Sequence, residues 1–354
     1  MQDNSGLAGG EGWLNQLSGA HDFVVTETMD WLSRVDNPLA VQSAGAVART
    51  VQHYRETDSK HAADLDAKLP ANGSLRQVLD PVWQFHLESY SGRPPFDDVL
   101  DPQKAYAPIP DYNTYEDYQY QPSWYDRVSV AGLGRQAIWR ATEFMATVGW
   151  IERAYDPYDL ALKPVVGDWA GFRGCADMFR NLAEALQTMS GNLHRSQTSM
   201  SEVWRGNAAD SCHVHLGRIR LALADTQPAL VGIADRYQEA ADGQAEFRVV
   251  VAQLLDDLID AAIILVAAVA AGTVTAKTLV GPIIAGVVGI REAGRIVRAI
   301  RTILDWWARI DAVISGVRSA MDSFGQMQAS EYHLPRLPEI TGGHSTLDHL
   351  PSER

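Results

Sequence analysis

Apolar residues recur at steps of three and four along most of this chain, the spacing that lines one face of a helix. Leu14, Leu17, Val24, Trp31 and Val35 follow that rule and predict a first helix over residues 13 to 35. Asp36-Asn37-Pro38 then reads as a stop and restart, with Asn37 as the cap and Pro38 at the first helical position, where its missing N–H costs nothing. A second helix is predicted to about Leu69, with Ala44, Val47, Val51, Tyr54 and Leu65 on its seam. So short a connection predicts an antiparallel hairpin over 1–69.

The strongest pattern begins after Gly171. Cys175, Phe179, Leu182, Leu186, Met189, Leu193, Ser196, Met200 and Val203 alternate steps of four and three, a heptad seam with one polar member. Beyond Trp204-Arg205-Gly206, the residues Cys212, Leu216, Ile219, Leu223, Thr226, Leu230, Ile233 and Tyr237 repeat it. Two long facing helices follow, forming a hairpin over 165–250, with Asn207 and Asp210 suited to starting the second and Pro228 expected to kink it.

Other stretches lack so clear a period. Residues 70–129 are rich in Pro and Tyr, and Tyr106 to Asp126 holds six tyrosines and four acids with no Lys or Arg. This predicts an irregular linker, its rings serving either as anchors against helices or as an acidic aromatic docking strip. A connecting helix is predicted within 130–164, from about Val130 to Tyr155, on Ile138, Phe144, Val148 and Ile151.

Residues 258–290 are the most apolar. Asp260 and Lys277 bracket only 16 residues and Gly281-Pro282 interrupts the rest, so buried or self-associating helices and membrane insertion are both open readings. The following helix, to about Phe324, places Ile290, Ala293, Val297, Ile300, Leu304, Trp307, Ile314, Val317 and Phe324 on its seam. Arg291, Arg295, Arg298 and Arg301 form a stripe beside it that suits anionic lipid, an oligomer contact or water. Apolar helices and this Arg-striped helix thus occupy 251–329, and 330–354 is a short tail with Pro335 and Pro338. The fold class expected is all-α: elongated helical hairpins or a bundle, with a Tyr- and Pro-rich irregular linker.

Composition narrows the functional classes. A net charge of -14 over 354 residues argues against a general nucleic-acid binder, which needs a cationic surface to displace counterions. Two cysteines give no disulfide framework, and Cys175 and Cys212 lie ~35 Å apart along the hairpin at about 1.5 Å per residue, too far to bridge. His213 and His215 point in different directions on a helix, and His53 and His61 are too far apart to pair, so no metal is expected. No phosphate loop, dinucleotide fingerprint, nucleophile elbow or zinc-protease motif occurs, so neither a cofactor nor an enzyme is expected. The opening MQDNSGLAGGEGWLNQL has no charged segment followed by an apolar core, so no Sec signal is expected.

Trp204-Arg205-Gly206 between two heptad helices resembles the W-x-G turn of WXG-type substrates of type VII (ESX) secretion in actinobacteria and related bacteria. VVGDWAGF before the first helix, NAAD after the turn and YQEAADG near the end of the second extend the resemblance over Val165 to Phe247. The family's second export element is Tyr, three residues, then Asp or Glu, and Tyr54 to Asp58 (YRETD) is similar to it. A four-residue step puts ring and carboxylate on one helix face. Tyr237 is a poorer match, with Ala241 at the acidic position. Both elements in one chain resemble PE/PPE-like proteins in which two such halves are fused.

The resemblance implies a non-enzymatic substrate, exported folded and read through Trp204, Gly206, Tyr54 and Asp58. The implied partners are the secretion ATPase and a small WXG-type partner or export chaperone. The implied location is the cytoplasm before export and the cell surface or medium afterwards. Two other readings stand beside it: a membrane-active or pore-forming effector using 258–290 and 291–324, and an intracellular helical scaffold.

Overall fold

The computed structural model describes residues 12–68, 100–112, 133–162, 167–204, 207–270, 286–325 and 332–339. The chain is all-α, and the described residues contain no strand. Helices α1 (Ser18–Arg34), α2 (Gln42–Lys68), α3 (Leu133–Thr147), α4 (Trp169–Val203), α5 (Asn207–Ala270) and α6 (Gly286–Asp322) account for most of it. Contacts divide the chain into two compact units. The first comprises Met1–Glu27, Ala107–Ala183 and Pro228–His333, and the second Thr28–Tyr106, Glu184–Gln227 and Leu334–Arg354.

In the first unit the heptad seam is packed as expected. Cys175, Phe179 and Leu182 of α4 are buried with Leu230, Ile233 and Tyr237 of α5. The Tyr237 ring lies 5.4 Å from those of both Phe172 and Phe179, and its hydroxyl is 2.7 Å from His21 Nδ1 on α1. A second aromatic cluster joins Trp13 to Phe247 and Trp307 at 5.1 and 5.6 Å, and Trp307 Nε1 donates to the Leu160 carbonyl. Asp168 caps α4: its carboxylate accepts from the Gly171 amide at 2.8 Å. A Cβ at Gly171 would lie 2.4 Å from that carboxylate, so any other residue there would make the Asp168 side chain shift.

Helix α6 runs antiparallel to α5, with Arg295 on Asp257 at 3.4 Å and Ile310 beside Gly243. Its buried stripe is Ile296, Ile300, Ile303, Ile310, Ile314, Val317, Met321 and Phe324. The predicted seam members Val297, Leu304 and Trp307 are only half-buried, and Ile290 is exposed. Ala293, Ile300, Ile314, Val317 and Phe324 are buried as the pattern predicts, and between them the core takes Ile296 and Ile303 rather than Val297 and Leu304.

Three predicted boundaries move. No cap forms at Asn37: Val35–Val41 is a π-helical segment with Pro38 inside it, and helical structure continues from α1 into α2. The predicted turn of a 1–69 hairpin is therefore absent. A π turn tolerates the proline because the regular i→i−4 ladder is already interrupted there. The expected division at 250/251 falls inside α5, which also passes through Pro228. The helix predicted to reach Tyr155 stops at Thr147, where Gly149 takes φ +77° and Trp150 N–H bonds the Met145 carbonyl. This left-handed closing turn is one that glycine alone adopts without strain.

In the second unit α4 and α5 again run antiparallel. Ser190 Oγ donates to the Arg220 carbonyl at 3.0 Å and Gln197 Nε2 to the His213 carbonyl at 2.7 Å, partner numbers falling as the others rise. Leu186, Ile219 and Leu223 are buried, but toward the tip Leu193, Met200, Cys212 and Leu216 are half-buried, and Met189 and Val203 are exposed. The seam thus opens toward the tip. Asn192 clasps the linker there, accepting from the Leu100 amide at 3.1 Å and donating to the Leu100 carbonyl at 2.7 Å.

Both cysteines are free: Cys175 is buried and Cys212 half-buried. Burial, then the nearby Asp168, pushes the Cys175 thiol up to about 12.

Candidate functional site

The tip of the α4–α5 hairpin lies in the second unit, and so does α2. The last helical amide of α4 is that of Trp204, which donates to the Met200 carbonyl at 2.9 Å. The Trp204 ring is half-buried. Its neighbour is Tyr54, with ring centroids 6.3 Å apart and planes at 88°, the edge-to-face arrangement that aromatic quadrupoles favour. Sequence separates these rings by 150 positions, and the fold brings them together.

A second contact fixes the direction of α2. Ser43 Oγ lies 3.1 Å from His215 Nε2. Burial, then Arg218, lowers the His215 pKa, so this imidazole is neutral at pH 7 and the contact is an ordinary hydrogen bond. Between Ser43 and Tyr54 the chain advances eleven residues while its partners fall from His215 to Trp204, so α2 runs antiparallel to the start of α5. From Tyr54 α2 continues to Lys68, ~20 Å further at about 1.5 Å per residue, beyond the level of the hairpin tip. Asp58 stands on the first turn of that extension and is exposed.

Val47, Val51, Tyr54 and Asp58 follow one another at steps of four, three and four, so they share one face of α2. The pattern predicts a buried seam, but Val47, Val51 and Tyr54 are 37, 44 and 43% exposed, and Ala44 is exposed as well. The side chain of Leu65 lies outside the described residues. An apolar stripe ending in an aromatic ring and a carboxylate is a surface that another protein can read. Val47 and Val51 are the members missed as surface residues, because periodicity marks a face without saying whether anything covers it.

Gly206 and Arg205 lie outside the described residues. Tyr237, the poorer match to the tyrosine element, is fully buried between Phe172 and Phe179 and offers no surface to a partner. Of the arginine stripe, Arg291, Arg298 and Arg301 are exposed. Arg295 instead bonds Glu292 at 2.9 Å and reaches Asp257 at 3.4 Å. In the linker, Tyr112 is an anchor: its hydroxyl donates to Asp177 at 2.5 Å and Arg173 lies over its ring. Burial and that bond to Asp177 raise its pKa. Tyr106 is exposed, while Tyr115, Tyr118, Tyr120 and Tyr125 lie outside the described residues.

Among the described residues, no group of three or more His, Cys, Asp or Glu side chains is placed to hold a metal ion. No protein-family model, curated protein or solved structure matches the chain.

Proposed function

We propose that this chain is a non-enzymatic substrate of a type VII (ESX) secretion system, exported folded and recognised through a composite surface of Trp204, Tyr54 and Asp58. The observation that carries this reading is the edge-to-face contact of Tyr54 with Trp204, with α2 running past the hairpin tip so that Asp58 projects beyond it. The two short sequence elements are individually common; their meeting in one unit is what supports treating them as one signal.

Recognition by this surface is modest in strength by design. Burying one exposed aromatic yields about 2 to 3 kcal/mol, which suits a transient contact that depends on two elements engaged together. The partners proposed are the secretion ATPase and a small helical WXG-type protein or chaperone that covers the Val47–Val51 stripe. The test is an immunoblot of culture filtrate from an exporting actinobacterium with and without its secretion ATPase. The protein is expected in the filtrate of the first strain and absent from that of the second; equal amounts in both would overturn the reading.

A further inference from the structure

The part of the α4–α5 hairpin that lies in the second unit is basic within an acidic chain. Between Glu184 and Asp225 the sequence holds four arginines and three histidines against two acids, Glu202 and Asp210, whereas the whole chain carries a net charge of -14. Some of this charge surrounds a groove of about 340 Å³ between the two helices, with Gly217 as its floor.

Helix geometry explains the groove. Gly217 has no side chain, and its neighbours three and four positions away on α5 are His213, Val214, Arg220 and Leu221. They stand round the glycine as two walls, Val214, Arg218 and Leu221 on one side and His213 and Arg220 on the other. Helix α4 closes the groove with His194 and Gln197, and a Cβ at Gly217 would meet Gln197 Nε2 at 3.2 Å. His215, which meets Ser43 of α2, lies two residues before Gly217 and so about 200° round the helix, which puts that contact on the other side of α5.

The lining offers donors without a matching acid. No carboxylate lines the groove, and among the described residues neither Arg218 nor Arg220 is paired with one. The Arg220 Nε atom is shielded from water and has no hydrogen-bond partner, and such a donor is costly until an acceptor reaches it. Gln197 gives one amide N–H to the His213 carbonyl at 2.7 Å and keeps a second, and each imidazole offers an N–H in either tautomer. So many donors exceed what two carboxylate oxygens accept in one plane. They suit the three oxygens of a phosphoryl group, which a guanidinium fork grips two at a time. Val214 and Leu221, 53 and 49% exposed, stand one helical turn to either side of Arg218 and place apolar surface beside that charge. The volume falls within the ~300 to 1,000 Å³ of small-molecule sites and exceeds what a bare ion fills.

We infer that this groove binds a small organic phosphate monoester, its phosphoryl oxygens on Arg218, Arg220, His194 and His213 and its carbon skeleton against Val214 and Leu221. The site shares no residue with the Trp204, Tyr54 and Asp58 surface and does not depend on the role assigned to it.

Titration calorimetry of the full chain with phenyl phosphate in a phosphate-free, low-salt buffer tests the inference. Saturable binding to one site is expected, at least tenfold tighter than that of benzoate or of inorganic phosphate. Arg218→Gln, Arg220→Gln and Gly217→Leu should each weaken it at least tenfold while keeping far-UV helicity. Arg195→Gln removes an exposed charge of the same hairpin outside the groove and should leave it unchanged. Absence of saturable binding by the wild type, binding undiminished by both arginine variants of the groove, or an equal loss in Arg195→Gln would overturn the inference. So would flotation with phosphatidic acid vesicles by a chain that does not bind phenyl phosphate, because the phosphoryl group would then belong to a lipid surface.

Discussion

Replacing Trp204 or Tyr54 by alanine is expected to lower export at least tenfold while leaving the far-UV helical signal unchanged. The second half of that expectation follows from where the rings sit. Tyr54 is 43% exposed and Trp204 half-buried, so each truncation removes surface rather than core and leaves little cavity behind. The first half follows from their contact: at 6.3 Å and 88° each ring holds the other in place, so loss of either disturbs the surface presented by both. Tyr54→Phe and Trp204→Phe keep an aromatic edge and face and should retain most export. Quantitative blots of filtrate against cell pellet read the effect, and normal export of both alanine variants would remove the role assigned to this pair.

Tyr237→Ala should act in the opposite sense, on folding and not on recognition. Its ring is fully buried against Phe172 and Phe179, and its hydroxyl meets His21 Nδ1 at 2.7 Å. Emptying such a site costs about 3 to 5 kcal/mol, whereas Tyr237→Phe, which loses only the hydrogen bond, should cost about 1 kcal/mol. Denaturant unfolding of the two variants separates these terms.

The same core predicts alkaline sensitivity. Burial raises the Tyr237 phenol well above its usual range and pushes the Cys175 thiol up to about 12, so both stay protonated in the folded state after the unfolded chain has begun to lose those protons. Stability from the buried thiol is complete below the ordinary thiol range near 9. It is lost progressively as pH rises from there toward about 12, because the folded state binds the proton more tightly. Thermal midpoints should fall over that window, and Cys175→Val should make the fall shallower.

How far the sequence reveals this fold depends on whether a helix face has a neighbour. The four-three seam from Cys175 to Leu186 and from Ile219 to Tyr237 is packed where the pattern puts it. The same seam continues without a break to Met200 and Val203, yet Met200 is half-buried and Val203 exposed. Periodicity is a property of one helix, and burial needs a second surface. Val47, Val51 and Tyr54 repeat the lesson on α2.

At Asp36-Asn37-Pro38 the local rules allowed two outcomes. Pro38 fits the first turn of a new helix, and it fits equally a π turn in which the broken ladder already leaves its missing N–H unneeded; the chain takes the second. On α6 apolar residues one position apart were available, and only the neighbours packed against the helix decide that Ile296 and Ile303 are buried while Val297 and Leu304 are half-buried. The individual residues of the candidate site were legible as short elements. Their meeting was an expectation from the resemblance alone, because nothing local to Tyr54 encodes a neighbour 150 positions away.

Photocrosslinking in exporting cells tests the central claim most directly. Benzoylphenylalanine at Val51, 44% exposed and one turn before Tyr54 on the same face, reports what approaches that face. The account predicts a light-dependent adduct with the secretion ATPase or with a small helical partner, and loss of that adduct when Trp204→Ala is added. No adduct with any export component, or one undiminished by Trp204→Ala, would contradict it.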